Sequence, residues 1–485
     1  MSGYIRKKID CLMIMKKFQL LMVCILIGFM NQVKAEDIVE GGDHKEIQFW
    51  LTAPSAGINF QRQRGDFRFG TASTTDAVIQ VDESQKFQTI DGFGNCLTDG
   101  SAMLLARMSQ QARSAILKEL FAWDENNIGI SYLRLSLGAS DLSESCYSYN
   151  DLPAGDSDFE LKKFSLDPNR KELIPVLKEI LRINPEIKVM ASPWSSPAWM
   201  KTNNNFKGGS LRLECYEVYA NYFVRYIQAM KAEGIDIDAI TVQNEPLHPG
   251  NTPSMYMTAE DQALFVKKNL GPAFVAAGIK TKIVVYDHNA DKIIYPLTIL
   301  RDPDAAKYVD GSAFHLYGGK IEALSSVHNE FPGKNLYFTE QWIGSPANFP
   351  GDLAWHVKTL IIGATRNWCR NVLEWNLAAD PKNDPHTVEG CDRCLGTITI
   401  DGDIVTRNPA YYILAHAAKF VRPGSVRIES NLLENLTNVA FKTGDGKIVL
   451  VVLNESQEQK RFGIGFGGKV FQVELAKSAV GTFVW

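Results

Sequence analysis

The sequence predicts an α/β chain: a (β/α)8 TIM barrel carrying a β-sandwich side domain built from both chain ends. Three observations lead there. Eight short apolar runs alternate with amphipathic helical stripes between residues 89 and 375. From Val426 onward the pattern changes to strands alone. No glycine-rich phosphate-binding turn follows any run, which weakens the alternative of an open, doubly wound sheet.

The first residues are set apart from this fold. Lys16 and Lys17 precede an apolar run from Phe18 to Met30, and Val33-Lys34-Ala35 offers a small-residue cleavage site. That is the pattern of a secretory signal peptide over 1–35, and the run is too short to span a bilayer. Cys24 lacks the small residue expected before a lipidated cysteine. Simple cleavage is therefore expected, with secretion or export to the periplasm or cell surface and no stable membrane anchor. Residues 36–85, including "IQFWLTA", read as the first strands of the side domain.

The barrel is expected over 86–422, with strands at 89–94, 132–137, 187–192, 237–242, 282–287, 311–316, 335–339 and 371–375. Helical periods lie between them. Leu173, Val176, Leu177, Ile180 and Leu181 follow Asp167-Pro168, which reads as an N-cap with proline in the first turn. Tyr216, Tyr219, Ala220, Phe223, Ile227 and Met230 form a second stripe, closed by Gly234. Leu353, Val357, Leu360, Ile361 and Ala364 form a third. Residues 423–485 complete the side domain, with Gly444-Asp445-Gly446 as a hairpin turn between 438–443 and 447–453.

Composition, at 45% hydrophobic and 22% charged, is that of a globular protein. Removal of residues 1–35 takes six Lys/Arg and one Asp from totals of 51 and 55, leaving a formal charge of −9. No basic stripe stands out, so nucleic acid and anionic membrane surfaces are poor partners. Cys96, Cys146, Cys215, Cys369, Cys391 and Cys394 remain. They are too few and scattered to scaffold the fold, which must rest on its core.

The fourth run ends at Asn244-Glu245-Pro246. Proline removes a backbone donor and biases the residue before it toward an extended conformation. The Glu245 carboxylate is thus expected at the carboxyl end of a strand, fixed in direction, where barrels place their chemistry. Other strand ends carry Asp99, Arg134, Trp194, His315 with Tyr317, Glu340 in "YFTEQW", and Trp375 with Asn376. Singly, each has an ordinary structural reading; His315, for one, would more often be a satisfied core histidine. Clustered at successive strand ends, they read as one constellation.

Two carboxylates projected into one mouth suit retaining glycoside hydrolysis, with carboxyl groups roughly 5–5.5 Å apart. Trp194, Trp199, Trp342 and Trp375 offer flat faces for sugar rings at the rim, and Asp99 and Asn244 offer polar groups for hydroxyls. Arg134 is expected to keep Glu340 ionised, while the second charge nearby holds the proton on Glu245. No cofactor or metal is expected: neither a zinc-ligand cluster nor a Gly-x-Ser-x-Gly elbow is present. The competing class is a catalytically silent carbohydrate-binding barrel, which loss of either glutamate would have signalled.

The motifs "DGFGNCLTDGSA", "LRLSLGASDLS", "ASPWSSPAWMKTN", "VQNEP", "FHLYGG", "YFTEQW" and "EWNLAADP", with "WLTAP" near the start, occur in this order. They closely resemble those of glycoside hydrolase family 30, which contains glucosylceramidases and endo-β-1,6-glucanases. The resemblance implies anomeric retention, with Glu245 as acid/base and Glu340 as nucleophile. It also implies glycone binding by Asp99, Trp194, Asn244 and Trp375, and places Arg134 and Tyr317 near the nucleophile.

After "EWNLAADP" the chain reads "KNDPHTVEGCDRCLGTITID", which departs from the glucosylceramidase pattern and looks more like the β-1,6-glucanase branch. Cys391-x-x-Cys394 reads as a short disulfide, with two free thiols as the alternative. A metal site with His386 would lack the second pair of ligands. The expected substrate is β-1,6-glucan; glucosylceramide, or exo-acting β-glucosidase or β-xylosidase activity, is the alternative.

Overall fold

The computed structural model describes residues 46–70, 76–124 and 126–485. The export signal read at 1–35 lies outside the described residues. Three strands precede the barrel: β1 (Gln48–Ala53), β2 (Ile58–Arg62) and β3 (Val78–Thr89). The barrel strands are β4 (Gly92–Leu97), β5 (Tyr132–Ser136), β6 (Lys188–Ser192), β7 (Ala239–Thr241), β8 (Lys282–Asn289), β9 (Val309–His315), β10 (Asn335–Glu340) and, after a two-residue β11 (Ile343–Gly344), β12 (Cys369–Asn376). They close in the order β10-β12-β4-β5-β6-β7-β8-β9. All eight pairings are parallel.

Alternate residues of a strand point the same way, and in this barrel the inward positions form layers. One layer is apolar: Tyr132, Met190, Ala239, Val284, Ala313, Tyr337 and Leu373, none of them exposed. Large side chains sit opposite alanines and fill the bore. Two residues further along six of these strands, the inward positions are Arg134, Ser192, Thr241, His315, Thr339 and Trp375. Strand β8 departs from the count. Tyr286 and Asp287 both take positive φ, 73° and 71°, and the register with β9 slips between Tyr286 and His288. This β-bulge turns Asp287, not Tyr286, into the barrel. An apolar plug is thus capped by a polar layer, and the site is built on that layer.

Two helical expectations need correction. Asp167 does not cap the long helix. It opens a one-turn helix, Asp167–Arg170, and the chain re-enters helix at Leu173–Ile183, whose buried face is Leu173, Ile174, Val176, Leu177 and Ile180. The third stripe is helical but not uniform: Phe349–His356 continues as a wide π-type stretch, Val357–Ala364. The second stripe is helix Tyr216–Ala232, followed by Gly234 at φ 82°.

After the barrel come the short strands β13 (Ala378–Ala379), β14 (Cys394–Leu395), β15 (Ile398–Asp401) and β16 (Ile404–Arg407). The side domain follows with β17 (Val426–Ser430), β18 (Leu436–Lys442), β19 (Ile448–Asn454), β20 (Lys460–Phe466), β21 (Lys469–Leu475) and β22 (Val480–Val484). Its strand order is β2-β1-β22-β19-β18-β17-β3-β20-β21, so strands from before the barrel pair with strands from after it. Strand β3 joins two halves, pairing with β20 near Val78 and with β17 from Val81 onward. Phe49, Leu450, Val452 and Phe483 pack with Phe462, Ile464, Phe471 and Val473 inside this sandwich. Strand β19 is apolar on both faces because it serves two cores. Leu450 and Val452 face the sandwich, while Val449, Val451 and Leu453 join the core beneath the barrel helices.

Candidate active site

Arg134 is the hub of the polar layer and has no solvent exposure. Its Nη1 donates to Glu340 Oε2 at 2.6 Å, and its Nη2 donates to Asp287 Oδ2 at 2.8 Å, Asn244 Oδ1 at 2.6 Å and Ser192 Oγ at 3.2 Å. The guanidinium lies over Trp194, 4.7 Å from the ring centroid, with Trp375 at 5.7 Å. Asp287 answers it. Besides Arg134, its carboxylate accepts from Ser192 Oγ at 2.5 Å, Thr241 Oγ1 at 2.6 Å and Thr339 Oγ1 at 2.6 Å, and meets His315 Nε2 at 3.1 Å. A buried carboxylate needs such partners, and the layer supplies one from each of five strands. Arg134 and its hydrogen-bond donors hold Asp287 well below the usual carboxylate range, against the effect of burial.

The two glutamates stand above this layer. Glu340 ends β10, where the register with β9 also slips. Its Oε1 accepts from Tyr317 Oη at 3.0 Å. Glu245 follows β7 on a turn and does not take the extended backbone expected before proline. Its φ is +44°, in the region that favours glycine, because its N–H is tied to the Asp287 carbonyl at 3.0 Å and its carbonyl accepts from His248 N at 2.9 Å. Tertiary hydrogen bonds override the local bias and hold the residue strained, as happens at functional sites. Glu245 Oε1 lies 3.1 Å from His315 Nδ1. Carboxylate oxygens of Glu245 and Glu340 and a ring nitrogen of His315 all lie within 4.8 Å of one another. An oxygen of each carboxylate therefore lies nearer the other than the expected 5–5.5 Å and far inside an inverting separation.

The charges around the pair correct one expectation. Burial raises Glu245, but the hydrogen bond and charge of His315 outweigh it and bring the carboxyl below its ordinary value. Glu340 is raised: burial and the Glu245 charge prevail over the pull of His315 and Arg134. His315 itself is pushed up to about 9, because Glu340, Asp287 and Glu245 together overcome the cost of burial. These directions favour a charged His315 hydrogen-bonded to an ionised Glu245 over the expected proton on Glu245.

A cleft of about 300 Å³ opens over the glutamates, lined among others by Asp141, His288, Tyr317, Trp342, Trp375 and the Cys391–Cys394 pair. These two cysteines form a disulfide, and β11 pairs with β14 beside it. Several expected groups are held by partners below or beside this cleft. Trp194 is buried beneath Trp375, with ring centroids 5.3 Å apart, and Asn244 is engaged by Arg134. Asn376 donates to the carbonyls of Ala378 and Cys394. Trp199 is not at the rim at all; its indole N–H donates to Asn150 inside the core. Asp99 opens helix Asp99–Arg107 and accepts from Ser143 Oγ at 2.6 Å.

In place of Asp99, the cleft presents Asp141, seven residues after Arg134. Its Oδ1 is buried with no hydrogen-bond partner among the described residues. Burial, with the Glu340 and Glu245 charges adding, pushes it up to about 7. The signal was in "LRLSLGASDLS", but in a loop, where no strand period marks an inward residue. Asp287 and His288 were also missed, since the bulge that aims them leaves no trace in hydrophobic pattern.

Comparison with known proteins follows the same outline. The family model described as glycosyl hydrolase family 30 TIM-barrel domain matches residues 90–421, and that for the glycosyl hydrolase family 30 beta sandwich domain matches residues 424–483. An endo-1,6-beta-D-glucanase of Neurospora crassa is 33% identical over 436 residues, covering 86% of this chain and 87% of the relative. The lysosomal acid glucosylceramidase of Mus musculus is 30% identical over 414 residues, covering 79% and 78%. A solved endo-beta1,6-glucanase superposes with a TM-score of 0.84 at 36% identity, over 91% of this chain and 99% of that one.

Proposed function

The chain belongs to glycosyl hydrolase family 30, and from that premise we propose that it is an exported, retaining endo-β-1,6-glucanase. The observation that carries the mechanism is the separation of Glu245 and Glu340, with oxygens within 4.8 Å. So close a pair leaves no room for a water between carboxylate and anomeric carbon, as inversion requires. Glu340 attacks the anomeric carbon and forms a glycosyl-enzyme while the bond to the departing oxygen breaks. Glu245 protonates that oxygen, then takes a proton from the water that releases the sugar. Arg134 and Tyr317 fit Glu340 for attack, since both donate to its carboxylate.

The proton reaches Glu245 from His315, 3.1 Å away. A sugar filling the cleft removes water, and a charged imidazolium–carboxylate pair then costs more than its neutral form. The proton moves from Nδ1 to Oε1, and Glu245 becomes the acid. Asp141 receives a glycone hydroxyl in the role that the resemblance gave to Asp99, and Trp375 receives a sugar face.

The substrate reading is supported by similarity to endo-1,6-beta-glucanases and by the disulfide-bearing loop in the cleft wall. Export is supported by the charged and apolar pattern before Ala35. Among the described residues no helix is long and apolar enough to cross a membrane. The test is a reducing-sugar assay across β-1,6-, β-1,3- and β-1,4-glucans, with proton NMR of the first product. Short oligosaccharides from β-1,6-glucan alone, released as β-anomers, are expected. Hydrolysis of glucosylceramide with none of β-1,6-glucan would overturn the substrate and leave the glycosidase standing.

A further inference from the structure

The two carboxylates divide the cleft. Asp141 feels the charge of Glu340 ahead of that of Glu245, His315 touches both glutamates, and His288 stands beside Glu245 alone, 3.9 Å from its carboxylate. In a double displacement the retained sugar rests against the nucleophile and the departing sugar against the acid/base. The His288 side of the cleft therefore faces the departing sugar. This rests on the roles proposed above for Glu245 and Glu340.

His288 is the group with no assigned work. It lines the cleft beyond the bulge of β8, and its Nε2 lies 3.9 Å from Glu245 Oε1. That gap is too long for a hydrogen bond, yet a sugar oxygen can sit within reach of both atoms. Its Nδ1 is buried with no hydrogen-bond partner among the described residues. Burial pushes the ring down to about 4 against the pull of Glu245, so it is neutral at working pH, with one nitrogen to donate and one to accept. A buried polar group left unpaired is costly to keep. Neither the proton link, which His315 provides, nor the charge of Arg134 requires it.

We propose that His288 anchors the departing sugar, hydrogen-bonding one of its hydroxyls beside the oxygen that Glu245 protonates. The same contact would hold an incoming acceptor sugar when the glycosyl-enzyme is intercepted. There the acceptor hydroxyl, deprotonated by Glu245, forms a new bond to the anomeric carbon as the Glu340 ester bond breaks.

Partition of the glycosyl-enzyme tests this. An aryl β-gentiobioside charges the enzyme with no sugar on the departing side, and added gentiobiose then competes with water. In His288→Ala the ratio of transfer to hydrolysis should fall about tenfold, the worth of one buried hydrogen bond, while aryl cleavage falls by a smaller factor. His288→Gln, which keeps a donor and an acceptor, should recover part of the ratio. Equal losses of transfer and cleavage in His288→Ala mean that the ring acts only on Glu245, and the proposal fails. It fails also if the native enzyme cleaves the donor and never transfers to sugar. Transfer to a hydroxyl other than O6, still lost selectively in His288→Ala, keeps the anchor and removes the β-1,6 reading.

Discussion

Arg134 and Asp287 meet at 2.8 Å with neither side chain exposed to solvent. Each is also tied to one of the glutamates, Arg134 directly to Glu340 and Asp287 through His315 to Glu245. Removing one partner of a buried pair strands the other charge, at a cost of about 3–5 kcal/mol. Asp287→Ala should therefore lower stability by that order in urea unfolding and cut kcat together with it. A variant of native stability and activity would show that the pair is not the keystone of this layer.

The two glutamates should separate by leaving group. Glu340→Ala removes the nucleophile, so turnover should vanish and return only with an external anion such as azide. Glu245→Ala should keep much of its rate on aryl glycosides that need little protonation, and lose about 10²–10⁴-fold on glucan. Equal losses on both substrate types in both variants would refute the roles.

Titration of His315 gives a pH signature of its own. Its value rises from 6.5 to about 9 on folding. A raised value stabilises the fold in full below pH 6.5, and the contribution is lost as pH rises through about 9. The buried shift corresponds to a loss on the order of 3 kcal/mol. Urea midpoints should fall between pH 6 and pH 10 in the native protein and stay flatter across that window in His315→Gln. Because the same proton serves Glu245, kcat/KM should fall on the alkaline side near pH 9, and His315→Gln should move that limb down.

The Cys391–Cys394 disulfide closes only a four-residue stretch, and chain-entropy arguments give so small a loop about 2 kcal/mol at most. Its place in the cleft wall matters more. Replacing both cysteines with serine should change the melting temperature by a few degrees and raise KM for glucan several-fold with kcat nearly kept. A large fall in stability with KM unaltered would assign the bridge to the fold instead.

Much of this was open to reading because a barrel imposes a count. Tyr132 and Arg134, Met190 and Ser192, Ala313 and His315 each lie two apart, so a strand that turns polar near its end announces the site. Arg134, His315 and Trp375 emerge that way, and Glu245, Tyr317 and Glu340 as polar residues at or just past strand ends; the structure brings all six together. The count fails where the backbone leaves it. The bulge at Tyr286–Asp287 hid Asp287 at the end of an apparently ordinary strand. Asp141 lies in a loop with no period. Trp199 reads as a rim residue and Asp99, from its strand end and the family resemblance, as a glycone contact; the structure gives them Asn150 and Ser143 as partners instead. The positive φ of Glu245 follows from a partner supplied more than forty residues later in sequence, Asp287.

Strands β1 and β22 run side by side from Gln48 against Val484 to Thr52 against Val480. Translation delivers β1 before the whole barrel and β22 after it. Until residue 484 leaves the ribosome, β1 and β19 both present bare edges on either side of the place that β22 will take. A chain lacking residues 480–484 would keep every barrel strand but carry an unfinished, adhesive flank. The pairing thus makes burial of both edges wait on β22: neither β1 nor β19 is covered there until residues 480–484 are in place.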